Sequence, residues 1–226
     1  MFERWKNAWA GRRLSAIRLE PVAQWAEQSG LAYEPLASGA YVLTGHWWGV
    51  PVRIECAAPS RFYMRGLELM ARVDLAQPTP GGGGVVVMNR ALKHRLEQRA
   101  SELYSQYTDT LQTTAQNVPE EIRWLSMYRD AGWSGPDRRF WARYAVLTDA
   151  PEAARDWIDD ECLQRLMRWP TEAVGPDTPL LLMRLKGKVY MRLQINQAGD
   201  GATAAHALDL FRHASEQARR MMQAAR

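Results

Sequence analysis

Two cysteines, four histidines and one dense acidic run are the side chains from which this chain of 226 residues would have to build catalysis or a metal site. Cys56 follows Glu55 at the end of a β-rich run, and His46 precedes it, so a Cys–His nucleophile pair would have to meet across a hairpin. Register opposes that pairing: about a turn between Gly45 and Gly49, His46 and Cys56 fall some seven residues apart, about 20 Å at the rise of a strand. A buried structural cysteine is expected instead. Neither Cys56 nor Cys162 stands in a Cys-x-x-Cys context, and both are expected to be reduced and unpaired. His46, His94, His206 and His213 are isolated in sequence. The last two are seven residues apart, whereas zinc favours closer pairs or cysteine partners, so no metal and no cofactor is expected. No Gly-x-Ser-x-Gly elbow is present. Gly81, Gly82, Gly83 and Gly84 run into Val85 without the lysine and hydroxyl of a phosphate loop, and read as a flexible connection. Asp156, Asp159, Asp160 and Glu161 read as a solvated helix face, since adjacent acids on a helix point in different directions. No catalytic residue is assigned.

One cluster has the character of a binding surface. His46-Trp47-Trp48 occupies a predicted hairpin turn, close in sequence to Arg53, Arg61 and Arg65. Tryptophan and arginine dominate interface hot spots, so Trp47, Trp48, Arg53 and Arg65 are the candidate binding residues. Adjacent residues of an extended chain face opposite sides, which predicts one ring buried and the other exposed beside Arg53 or Arg65. The expected function is a non-enzymatic binding or accessory module acting through contacts with an unknown protein partner. The alternatives are an enzyme whose site assembles only in three dimensions, and a weak nucleic-acid binder. With 29 basic against 25 acidic residues the net charge is only +4. Basic residues cluster only as the pairs Arg12-Arg13, Arg138-Arg139 and Arg219-Arg220, a poor phosphate-tracking stripe. Residues 2–17 place Phe2, Trp5 and Trp9 at helical spacing among Arg4, Lys6, Arg12 and Arg13. They read as a first helix or arm packed on the domain, with peripheral contact to anionic lipid as the alternative. No apolar run reaches the roughly 20 residues of a spanning helix and no secretory h-region is present, so a cytoplasmic protein is expected.

The elements that position these residues read as α+β. Residues 19–30 form a helix with Pro21 in its first turn and Gly30 at its stop. Residues 40–55 form a hairpin, and 61–75 a half-buried strand with Leu67, Leu69, Ala71, Val73 and Leu75 on one side. A short buried strand at 85–88 follows, then Asn89 as a cap for a helix over 90–110 carrying Leu92, Leu96, Leu103 and Tyr107. A second helix starts at Asn117-Val-Pro-Glu-Glu121 and ends near Gly132. The glycines and proline of 131–137 mark a boundary between residues 1–131 and 138–226. Beyond it stand a strand over 140–148, a helix from Asp149 and Pro151 to Trp169-Pro170, a hairpin over 179–195 and a last helix over 203–224. The arrangement expected is an antiparallel, hairpin-based sheet with helices packed on one face, either as two similar halves or as one continuous domain. Gly49-Val-Pro-Val-Arg53 and Gly187-Lys-Val-Tyr-Met-Arg192 both place a glycine turn before an arginine-bearing strand, which is shared hairpin grammar.

The run Phe140-Trp-Ala-Arg-Tyr-Ala-Val-Leu-Thr-Asp149, then Leu163-Gln-Arg-Leu166, Leu180-Leu-Leu-Met183 and Lys186-Gly-Lys-Val-Tyr-Met191, resembles the bacterial domain of unknown function 3137. The resemblance spans about residues 140–195. It implies a strand–helix–hairpin fold and a bacterial origin, and it carries no catalytic residue.

Overall fold

Nine short strands set the architecture. The computed structural model describes residues 18–75, 83–108 and 119–224, with only the backbone of 104–108. The basic segment 2–17, Asn117 and most of the glycine-rich connection therefore lie outside the described residues. The strands are β1 (Leu31–Pro35), β2 (Tyr41–Trp47), β3 (Val50–Ala57), β4 (Leu67–Asp74), β5 (Val85–Asn89), β6 (Arg129–Ala131), β7 (Tyr144–Thr148), β8 (Leu180–Leu185) and β9 (Lys188–Ile195). They form one sheet in the order β1-β2-β3-β4-β9-β8-β5-β7-β6, every neighbouring pair antiparallel.

Seven helices are described: α1 (Glu20–Gln28), α2 (Arg90–Thr108), α3 (Glu120–Met127), α4 (Arg138–Arg143), α5 (Pro151–Trp157), α6 (Asp160–Met167) and α7 (Gly201–Ala224). The α+β class read from the sequence holds. The sheet does not divide at 131–137: β4 pairs with β9, and β5 is inserted between β8 and β7, so segments from both sides of the proposed boundary interleave.

Most helices cover one face. α7 presents Ala204, Ala207, Leu208, Phe211, Ala214 and Ala218 at helical spacing, and joins Val22, Trp25 and Ala26 of α1 over Leu43, Ile54, Leu69, Ala71, Met191 and Leu193. Its alanines let the helix lie close to the strands. The expectation of helices on one face is incomplete, because β5, β7 and β8 are apolar on both sides. Val85 and Val87 face the main core, while Val86 and Met88 face Leu92 and Leu96 of α2 and Trp124 of α3. A strand buried on both faces needs a helix on each.

Several local readings change. Residues 140–143 belong to α4, capped by the Asp137 carboxylate, which accepts from the Arg139 N–H at 2.8 Å; the strand begins only at Tyr144. The helix expected from 149 to 169 is two helices, because Asp159 stops one and caps the next by accepting from the Cys162 N–H at 2.8 Å. Asn89 ends β5 and its carboxamide holds the loop before β8, donating to the Pro176 carbonyl at 2.6 Å and accepting from the Leu180 N–H at 3.2 Å. The strand over 61–75 shortens to β4, since Gly66 turns the chain at φ +66° where a Cβ would meet the Ile195 carbonyl at 2.7 Å.

Candidate functional site

The four residues proposed for binding do not converge. In β2 and β3 the residues Tyr41, Leu43, Trp47, Val52, Ile54 and Cys56 turn toward α1 and α7, while Thr44, His46, Pro51, Arg53 and Glu55 turn away. Arg53 therefore lies on the opposite face from Trp47. Arg65 lies in the loop before β4, where its N–H donates to the Gln194 side chain at 2.8 Å. The predicted split between the two rings is present: Trp47 is 5% exposed and Trp48 39%. Its stated neighbours are wrong. The cations beside the rings come from α7, with the Arg219 guanidinium 4.9 Å from the Trp48 ring centroid and that of Arg212 6.0 Å from Trp47.

The reason is register. Trp47 pairs with Val50, which leaves a two-residue turn of Trp48 (φ +53°) and Gly49 (φ +82°). This is the mirror-image turn that matches strand twist, so the turn is shorter than Gly45 to Gly49. Gly45 is instead a strand residue, where a Cβ would stand 2.7 Å from the Leu31 side chain. His46 pairs with Pro51, five residues before Cys56 on β3, which puts them about 17 Å apart and on opposite faces. Cys56 and Cys162 are both free and buried. Burial pushes the Cys56 thiol up to about 12, far from nucleophilic ionisation.

Sequence reasoning missed the site that the fold creates. The second face of β2, β3, β4 and β9 is the less covered one among the described residues, where Tyr190 packs against the cluster that holds Trp124 of α3. Their outward side chains line a trough of about 880 Å³, with Pro51, Met70 and Tyr190 on its floor and Arg53, Arg72 and Arg192 along it. Arg72 lies opposite Tyr190 across the β4–β9 pair, with its guanidinium 5.5 Å from the ring centroid. The trough continues toward α3 into a second recess of about 450 Å³ that shares Arg72, Tyr190 and Arg192. The alternation of β4 did reveal Glu68, Met70, Arg72 and Asp74 as one side; that β9 would lie next to them was not legible.

Buried carboxylates fix the walls. Glu68, 4% exposed, accepts from the Ser60 N–H (2.6 Å), the Ser60 hydroxyl (2.8 Å) and the Arg192 guanidinium. Glu121, 1% exposed, accepts from Arg61 Nε at 2.6 Å and the Tyr63 hydroxyl at 2.9 Å. Each holds an arginine at the edge of the groove. Glu55 is paired with Arg53, and Asp74 with Lys188 at 3.1 Å. The arrangement offers preorganised cations, each tied to a carboxylate or an aromatic ring.

The acidic run also departs from expectation. Asp159 is no simple solvated acid, since the His213 ring contacts it at 2.8 Å, and Glu161 pairs with Arg165 at 2.5 Å. Burial would raise the Asp159 carboxyl, but the His213 and Cys162 hydrogen bonds and nearby Arg165 hold it below its ordinary value. Glu68 is lowered likewise: burial opposes, and Ser60 with Arg192 prevails. A lowered carboxyl contributes stability that is complete above the unfolded value, about 4, and is lost as pH falls through the folded value. Chemical denaturation at pH 7, 4 and 3 should therefore show stability falling below about pH 4. Glu68→Gln should be less stable at pH 7 with a shallower acid decline; an unchanged acid decline would remove Glu68 from this account.

Comparison with protein-family models, with curated proteins and with solved structures finds no match. No helix among the described residues is long and apolar enough to cross a membrane. Nor does any group of three metal-ligating side chains occur among them.

Proposed function

We propose that this chain is a non-enzymatic binding module that docks a protein partner on the uncovered face of its sheet. One observation carries the reading: four adjacent strands are sealed on one side by α1 and α7 and, among the described residues, largely open on the other, over a trough with an apolar floor and charged walls. Pro51, Met70 and Tyr190 offer apolar contact, and the arginines beside them are held in place by carboxylates or an aromatic ring. Preorganised arginine next to an aromatic ring is hot-spot chemistry.

The edges of the sheet are less suited to adding a partner strand. β1 is five residues long and ends in Pro35, and β6 has three residues, both of them features that blunt edge pairing. The face is the larger surface. A polynucleotide fits less well, because the cations proposed for it are dispersed. Arg61 is tied to Glu121 beside α3, whereas Arg138 and Arg139 start α4, whose Phe140 and Trp141 join the core on the other side.

The test is photo-crosslinking in host cells from a benzoylphenylalanine placed at Thr44 or Arg53, with Glu97 on α2 as the control position. A discrete protein adduct from the trough positions and none from Glu97 is the expected result. Adducts that form equally from all three positions, or only from Glu97, would refute the trough as the contact surface.

A further inference from the structure

We infer that the recess between α3 and the β8–β9 hairpin, which adjoins the protein-docking trough, is a site for a phosphate-bearing small ligand. Six cations line it: Arg61, Arg72, Arg123, Lys186, Lys188 and Arg192. Four carboxylates face this set: Glu120 in the lining, and Glu121, Asp74 and Glu68 through their ion pairs. Positive charge is in excess, and two of the cations have no ion-pair partner among the described residues. These are Arg123, exposed on α3, and Lys186, exposed at the tip of the hairpin.

The donors outnumber what the protein consumes. Arg61 engages Glu121 through Nε, and Arg192 engages Glu68 and Ser60 through one terminal nitrogen. A guanidinium carries five N–H groups in a planar fork that matches phosphate oxygens, so both retain unfilled donors. Arg72 reaches Asp74 only at 3.8 Å and is positioned instead by the Tyr190 ring. Like charges gathered in one concavity repel one another, and an anion relieves that repulsion while filling the donors.

The backbone supports the assignment. Lys186 adopts φ +49° and Gly187 φ +74°, a tight turn that places a lysine, rather than the usual Asn or Gly, in the left-handed region. The turn holds Lys186 in the lining of the recess. The volume of about 450 Å³ and the three-sided enclosure by α3, β8 and β9 suit a small molecule more than a polymer track. Tyr128 and Tyr190 in the lining give an aromatic component of the ligand a surface to stack on.

Titration calorimetry on the full chain tests this, with inorganic tripolyphosphate and adenosine triphosphate as probes at an ionic strength of about 0.15 M. Saturable one-to-one binding of tripolyphosphate is expected. Arg123→Ala with Lys186→Ala should weaken it about tenfold or more while leaving the melting temperature unchanged, because neither side chain has an ion-pair partner to lose among the described residues. Arg138→Ala with Arg155→Ala removes the same charge elsewhere and should leave the affinity unchanged. Tighter binding of the nucleotide than of tripolyphosphate would support the site and assign the aromatic lining to the base; equal binding would support it as a reader of phosphate alone. Absence of saturation, equal losses in the two double variants, or binding of a single-stranded oligonucleotide that tripolyphosphate cannot displace would each overturn the inference. Arg123 and Lys186 lie outside the trough lining, so failure here leaves the crosslinking test of the trough unaffected.

Discussion

Trp47→Ala is expected to lower stability by about 3–5 kcal/mol, a fall in melting temperature of roughly 10 °C, while the adjacent Trp48→Ala shifts it by about 2 °C or less. The Trp47 indole is packed against Trp25 and Phe211 at ring separations of 6.1 and 5.9 Å, and its N–H donates to the Ser29 carbonyl at 3.1 Å. Alanine leaves a cavity between β2, α1 and α7 and an unfilled acceptor at the end of α1. Trp48 contributes a half-exposed ring against Trp47 and Arg219, and adopts a backbone conformation that a bulky residue holds only under strain. Trp48→Asn should therefore be neutral or slightly stabilising, since Asn-Gly is the preferred pair for this turn. Calorimetric melting of the three variants decides the matter. Equal losses at positions 47 and 48 would show that the exposed ring is as much a part of the core as the buried one.

Arg184→Met should raise stability by about 1–2 kcal/mol, or about 2–8 °C in melting temperature. Arg184 is 2% exposed on β8, facing α5 and α7, and no carboxylate among the described residues forms an ion pair with it. Its contacts are long: 3.4 Å to the Met221 sulfur, 3.4 Å to the Ala153 carbonyl, and 5.8 Å from guanidinium to the Trp157 ring centroid. The Nε–H has no acceptor. Burial pulls its pKa down against the weak opposing influence of Asp156. A lone cation in such surroundings forfeits hydration that these contacts do not replace, whereas methionine fills similar space without a charge. Lower stability in the methionine variant would show instead that the ring and carbonyl contacts outweigh the lost hydration.

Arg184 also marks where sequence reading stops. Residues 179–195 announced a hairpin, correctly, but nothing in Leu180-Leu-Leu-Met183 tells whether the next side chain reaches solvent. That depends on α5 and α7 closing over it, a contact between segments about 30 residues apart in each direction. The same limit applies to the groove. Period-two alternation on β4 separated the covered side from the open side, and helical spacing placed α1, α2 and α7 within a few residues. Neighbour relations were illegible, because pairing Arg72 with Tyr190 joins positions more than a hundred residues apart. Short-range signals misled where two rules compete, as at 140–143, where aromatic β-propensity suggested a strand and the Asp137 cap made a helix.

The β4–β9 pairing has a consequence for how the chain is made. The meander β1 to β4 leaves the ribosome well before α7, the main cover of the face that carries Leu43, Ile54 and Leu69. Translation proceeds at about 5–20 residues per second, so roughly 8–30 seconds separate the completed meander from its lid. During that interval an apolar sheet face and the free edge of β4 are both exposed, and long-range pairing makes their closure slow. Chaperone dependence during synthesis, out of proportion to the stability of the finished protein, is the signature this topology should leave.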